Sequence, residues 1–169
     1  MCSSDLVIED IAAKQLSFVG PFVAIGNPRG KHPVGTAARM TFSGEQWQSE
    51  ITKICANSRL IIMVAGLTDG LIWELRMIVD QNCLNRLLLL FPEDPEEATK
   101  MKLRRVRQAF VGVPWFSRLY HVDPKDLIAI YFSGDGVVAM HAQHKSASAY
   151  QLTWQLALHN SRVGLICAA

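Results

Sequence analysis

Cysteine pairs are the first thing this chain lacks. Its 169 residues hold four cysteines, Cys2, Cys55, Cys83 and Cys167, and none stands in a CxxC pair. Neither a zinc site nor a disulfide framework is indicated, and a reducing compartment is the simpler reading. No apolar run approaches the roughly 20 residues that a membrane span needs. The Walker and GxGxxG phosphate loops are absent. Charge of one sign is missing as well: 17 bases against 15 acids leave a formal +2, too little to argue for a nucleic-acid partner. No internal repeat or low-complexity segment is visible. What remains is 50% hydrophobic and 19% charged, an ordinary globular composition at a length that fits one domain with a real core.

The first six residues, Met1-Cys2-Ser3-Ser4-Asp5-Leu6, look foreign to the fold. A GTG start followed by TGC TCT TCC GAT CT would encode them, and that string is a common sequencing-adapter end. Residues 1–6 are therefore expected to be read-through, with Cys2 an artefact, and residues 7–169 to be a single domain forming the C-terminal part of a longer chain. Sequencing the parent DNA decides this.

The most organised stretch is Val64-Ala65-Gly66-Leu67-Thr68-Asp69-Gly70-Leu71-Ile72-Trp73-Glu74-Leu75. Before it, Arg59 to Val64 is a short apolar run with the length and branching of a strand buried on both faces. After it, apolar residues at Leu71, Ile72, Leu75, Ile78 and Val79 follow helical spacing. Strand, glycine turn and helix make half a βαβ unit, and such turns sit at the carboxyl edge of a parallel sheet, where open α/β folds bind ligands. Thr68 is the expected N-cap, with Asp69, Gly70 and Leu71 the first three helical positions. Glycine there permits close approach of a ligand to free backbone N–H groups. Asp69 already satisfies the helix dipole and would repel a phosphate, so ribose hydroxyls match it better. At about 100° per residue the core face centres near Leu75, which leaves Glu74 half-buried at its flank and turns Trp73 nearly away from the core. Glu74 suits a nucleophile or an oxocarbenium-stabilising group in glycosyl transfer. A boundary glutamate near a helix start is the plainer reading and costs nothing to explain.

The rest of the chain is placed around that unit. Val7 to Leu16 reads as the end of an amphipathic helix, and Phe22 to Ile25 as the first buried strand. Gly26-Asn27-Pro28-Arg29-Gly30-Lys31-His32-Pro33-Val34-Gly35 is a long, stiffened loop at that strand's end, where Arg29, Lys31 and His32 suit an anionic group. Residues 37–42 make a short strand. Ser43 with Gln46, and Phe42 with Trp47, carry the signature of a capped and stapled helix start, with Trp47, Ile51, Ile54 and Cys55 along its apolar face. Arg86 to Phe91 is a third strand, although leucine is a poor strand former. Asp94, Pro95 and Glu97 supply N-cap, first-turn proline and capping-box acid for a helix reaching Ala109, and its bases Lys100 to Arg107 read as a solvated face. Arg118 to Val122 reads as a short strand. Leu127 to Phe132 and Val137 to Met140, joined by Ser133-Gly134-Asp135-Gly136, read as a β-hairpin. A last helix over 146–160 presents Tyr150, Trp154, Ala157 and Leu158 on one stripe. The expectation is an α/β domain with a mostly parallel sheet and an antiparallel edge hairpin.

At the central residues the chain resembles the superfamily that joins TIR domains to nucleoside deoxyribosyltransferase-like proteins. An apolar strand and Gly66-Leu67-Thr68-Asp69-Gly70-Leu71-Ile72-Trp73-Glu74-Leu75 are similar to its small-residue turn followed by Trp-Glu on the next helix. More specifically, Ala24-Ile25-Gly26-Asn27-Pro28, Val34-Gly35-Thr36-Ala37-Ala38-Arg39, Glu45-Gln46-Trp47-Gln48 and Gly70-Leu71-Ile72-Trp73-Glu74 look like the cytosolic domain that follows transmembrane helices in many uncharacterised bacterial membrane proteins. The resemblance covers residues 19–92 well and the remainder weakly. It implies a three-layer, flavodoxin-like domain at the cytoplasmic face of a membrane, with the membrane reached only through segments upstream. It also implies that Glu74 is the residue matching the catalytic glutamate of enzymes that cleave N-glycosidic bonds in nucleosides or NAD.

Two functions follow as expectations. One is a nucleotide-sensing or protein-interaction domain that binds a nucleotide or nucleoside, or a second copy of itself, with Gly26, Asn27, Arg29, Lys31, His32, Gly66, Thr68, Asp69, Gly70 and Trp73 as binding residues. The other is an N-glycosidase acting through Glu74, with NAD or a nucleoside as substrate. Neither calls for a metal or a resident cofactor. Only one catalytic residue can be placed, which favours the first. A flavodoxin-like electron carrier would need a hydroxyl- and glycine-rich loop where Gly26 to Gly35 is proline-rich and basic.

Overall fold

The structure is a computed structural model that describes residues 11–12, 14, 16, 21, 23–25, 38–40, 47–113, 116–133 and 136–163. The chain folds as an α/β protein whose centre is a four-stranded sheet of β3 (Ile61–Val64), β4 (Leu87–Leu90), β5 (Leu127–Ser133) and β6 (Gly136–His141), in that spatial order. A separate parallel pair is formed by β1 (Val23–Ile25) and β2 (Ala38–Met40). The helices are α1 (Trp47–Asn57), α2 (Asp69–Asp80), α3 (Glu96–Ala109), the single turn α4 (Ser117–Tyr120) and α5 (Ala147–Val163).

The sheet is mixed, not mostly parallel. β3 and β4 run parallel, whereas β4–β5 and β5–β6 are antiparallel. The hairpin is where the sequence expected it, but it joins directly to β4 and so supplies half of the four strands. Gly136 closes its turn at φ +148°, and a Cβ there would run into the Arg118 guanidinium.

β4 is the plane about which the molecule packs. Its four leucines are fully buried. Because side chains alternate across a strand, Leu87 and Leu89 join Ile51, Leu75, Leu103 and Phe110 on one face, while Leu88 and Leu90 join Tyr131, Tyr150 and Trp154 on the other. Burying a leucine is worth about 1.5–3 kcal/mol, against a strand-propensity range of about 1 kcal/mol. Burial therefore decides the state of this segment. Helices α1, α2 and α3 cover the first face; α5 and the helical residues Ala12 and Leu16 cover the second.

Several local expectations are corrected. β3 is only half-buried beyond Ile61, because it is the end strand of its sheet. Val23 and Ile25 of β1 are exposed rather than buried, since β1 pairs with β2 and not with the central sheet. The N-cap of α3 is Pro95, with no side-chain cap bond; the Asp94 carboxylate instead accepts from Lys102 Nζ at 2.7 Å, a stronger, charge-assisted partner than a backbone amide. Residues 117–120 form a helical turn in place of the expected strand, held where Arg107 donates to the carbonyls of Leu119, Tyr120 and Val122 and stacks on Tyr120. Trp73, expected to turn nearly away from the core, is half-buried at the margin of the first cluster and packs on Trp47 of α1, ring centroids 4.9 Å apart. The capping residues Phe42, Ser43 and Gln46 lie outside the described residues.

Candidate functional site

α2 begins as its sequence dictates. Thr68 sits at the N-cap in extended conformation, and its Oγ1 accepts from the Leu71 amide at 3.3 Å. One turn further in, Leu75 is wholly buried and Leu71 and Ile78 face the same core. That register sets Glu74 at the border of the apolar stripe, where it is half-buried.

Glu74 lines a cleft of about 820 Å³ whose other lining residues come mainly from β1, α1, the residues between α1 and β3, β3 itself and α2. The walls are aliphatic: Val23 and Ile25 from β1, Ile61 to Val64 from β3, Ile51 and Ile54 from α1, Met77 and Ile78 from α2. Lys53 and Arg59 bring positive charge to it, and Lys53 is already paired with Glu50 at 2.7 Å. Among the described residues that line the cleft, Glu74 is the only carboxylate. It makes no hydrogen bond or ion pair among the described residues. Burial pushes its carboxyl above the ordinary carboxylate range, because removal from water penalises the charged form. The neighbouring Cys55 thiol is pushed up to about 11, first by burial, then by Cys83 and Glu74, with Arg86 opposing. Cys55 is thus a closed-in core thiol rather than a nucleophile.

The turn residues are arranged differently. Asp69 is exposed and pairs with Arg105 of α3, Oδ1 to Nη2 2.9 Å. Thr68 spends its hydroxyl on the cap. At Gly66 a Cβ would meet nothing within 4 Å, and at Gly70 only Thr68 Oγ1 at 3.8 Å, so neither glycine is demanded by a protein contact. Gly66, Thr68, Asp69, Gly70 and Trp73 do not line the cleft, whereas Glu74 does. Gly26, Asn27, Arg29, Lys31 and His32 lie outside the described residues. Sequence reasoning missed Arg59 as a wall residue and missed the cleft itself. Arg59 stands before an apolar run, which says only that a strand starts.

A second polar cluster stands at the carboxyl end of β4. Lys145 Nζ donates to the carbonyls of Phe91 at 3.2 Å and Pro92 at 2.8 Å, and Tyr150 Oη donates to Phe91 at 3.1 Å. Burial lowers the Lys145 pKa, partly offset by Asp94. These bonds seat the amino end of α5 on the sheet. Among the described residues no group of three or more His, Cys, Asp or Glu side chains could hold a metal ion, and no helix is long and apolar enough to cross a membrane. No family model, no curated protein and no solved structure matches this chain.

Proposed function

We propose that this chain is a nucleotide- or nucleoside-sensing domain of the TIR-like, flavodoxin-like kind, working at the cytoplasmic face of a bacterial membrane. The observation that carries the ligand-binding reading is Glu74, a half-buried carboxylate without a hydrogen-bond partner among the described residues, in a cleft of about 820 Å³. A cleft of that size is in the range of small-molecule sites, which are mostly apolar with a few polar groups to fix orientation. A carboxylate on the wall of such a cleft, with no partner among the described residues, can accept hydrogen bonds from the hydroxyls of a ribose. Arg59 offers a cation for a phosphate. Calorimetric titration with NAD, adenosine and the other common nucleosides tests this. Binding of at least one, weakened about tenfold or more by Glu74→Gln through loss of a hydrogen bond to a charged group, is expected; no binding of any would defeat it.

The raised carboxyl of Glu74 favours a second reading, N-glycosidase activity on NAD or a nucleoside, since a carboxyl moved toward neutrality can protonate a leaving base. Against it, no second acid lines the cleft among the described residues. Release of free base by the wild type, abolished in Glu74→Ala, would establish it. Release that survives the substitution would remove Glu74 from the chemistry.

A further inference from the structure

The charges of α3 are sorted along its length. Toward its amino end Lys100 pairs with Glu96 at 2.9 Å and Glu97 at 2.7 Å, and Lys102 with Asp94 at 2.7 Å. Arg105 pairs with Asp69. Arg104 and Arg107, three residues apart and so on one face, have no carboxylate partner among the described residues, and neither does Arg118 of α4. From Gln108 to Ser117 the chain carries no charged side chain, and it turns sharply there. The Val113 amide donates to the Phe110 carbonyl at 3.1 Å around Gly112 at φ +93°, a turn whose third position favours glycine. Phe110 is buried in the core while Val111, next to it, is 68% exposed. The turn thus holds an apolar side chain out in water on a fixed base. A bond from the Phe116 amide to the Val113 carbonyl, 2.9 Å, ties it to α4. There the Tyr120 ring, in a residue 59% exposed, lies under the Arg107 guanidinium at 5.3 Å and packs on Phe116.

We propose that the carboxyl end of α3 and the adjoining α4 form a docking surface for an anionic lipid bilayer, with Arg104, Arg107 and Arg118 on headgroup phosphates and Val111 and Tyr120 entering the interfacial layer. The guanidinium fork suits phosphate oxygens, and a tyrosine, apolar in body and polar at its tip, suits the boundary between headgroups and acyl chains. Basic residues beside exposed apolar ones are the combination that holds a protein on such a surface. A nucleic acid would engage the same three arginines through its phosphates. It would also need a free ring face on which to stack a base, whereas Tyr120 has Arg107 over its ring and Phe116 packed against it. Val111 decides between the two: an aliphatic side chain offers a nucleotide no hydrogen bond or stacking face, but gains by leaving water for lipid.

Co-sedimentation of the whole chain with vesicles tests the docking. Binding to phosphatidylcholine vesicles carrying about one third phosphatidylglycerol is expected, with none to phosphatidylcholine alone, and it should weaken as salt rises from about 0.05 to about 0.5 M. A basic residue near such a surface strengthens binding about fivefold, so Arg104→Gln/Arg118→Gln should weaken it about 25-fold. Val111→Ser should weaken it about fivefold or more by removing apolar carbon from the layer. Arg76→Gln/Lys100→Gln, the same change of net charge at bases outside the patch, should leave it unchanged, and circular dichroism shows that each variant is folded. No sedimentation with the anionic vesicles, an equal loss in the Arg76/Lys100 pair, or wild-type binding by Val111→Ser would overturn the inference. So would tighter binding of a single-stranded oligonucleotide at equal charge, since the partner would then be a nucleic acid. Docking needs no ligand in the cleft: a chain that binds vesicles but no nucleoside defeats the ligand reading alone, and the reverse result defeats the docking alone.

Discussion

Glu74 shows how little of a site's chemistry is contained in a residue's spacing. Its place at the flank of the α2 stripe follows from helix period alone, but its lack of a partner depends on what β1, β3 and α1 bring beside it. The raised carboxyl has a thermodynamic consequence. Between the ordinary carboxylate pKa and the higher folded-state value, the folded protein binds more protons at Glu74 than the unfolded chain does, so this group's contribution to stability falls as pH rises through that window. Glu74→Gln is neutral at every pH. Relative to wild type it should therefore gain urea resistance at about pH 7.5 compared with about pH 4, read from unfolding midpoints; an equal difference at both would show that burial does not perturb the carboxyl. Cys55 gives the companion test. With its thiol at about 11 and its side chain buried, alkylation by iodoacetamide at about pH 8 should leave it unmodified in the folded protein and label it after urea. Peptide mass mapping reads the outcome, and rapid labelling in the native state would contradict the burial.

At the scale of elements, α2 is the helix whose ends are best accounted for. Thr68 caps the start, and the carboxyl end closes through Asn82 at φ +53°, with the amide of Asn82 on Val79 carbonyl and that of Cys83 on Ile78 carbonyl, both at 2.9 Å. This is the Schellman arrangement, in which a residue tolerant of the left-handed region follows the last turn. Thr68→Ala should cost about 1 kcal/mol through the lost cap. Asn82→Ala should cost about 1–2 kcal/mol because alanine resists the left-handed conformation. Urea titrations check both, with unchanged slopes showing that the denatured state is not the cause. The start of α2 was legible because its cap is local chemistry. The start of α3 was not: Asp94 has the side chain of an N-cap but is taken by Lys102, eight residues on, and no local rule reports that competition. The turn over 117–120 escaped for a similar reason, since Arg107 holds it from another element.

For the whole molecule the two hydrophobic clusters meet at β4 without sharing a side chain. Leu88→Ala and Leu89→Ala act on opposite clusters, and each should cost about 2–5 kcal/mol, as deletions in a closed core do. Both should still unfold in one transition by tryptophan fluorescence and by circular dichroism, because the clusters lie on the two faces of the same strands. Separate transitions by the two probes would show that the faces unfold independently.

The sequence by itself determined the elements whose causes are local. The apolar runs at Ile61 to Val64 and Leu87 to Leu90, the cap at Thr68, the hairpin over 127–140 and the stripe of Tyr150, Trp154, Ala157 and Leu158 all stand where period and turn chemistry put them. Tertiary structure alone decided which edges pair. A run of apolar residues specifies burial, not a neighbour, and the hydrogen-bonding groups that choose between parallel and antiparallel partners are the same in every residue. For that reason the direction of β4–β5, the detachment of β1 from β3, and the cleft in which Glu74 stands could be known only from the folded chain.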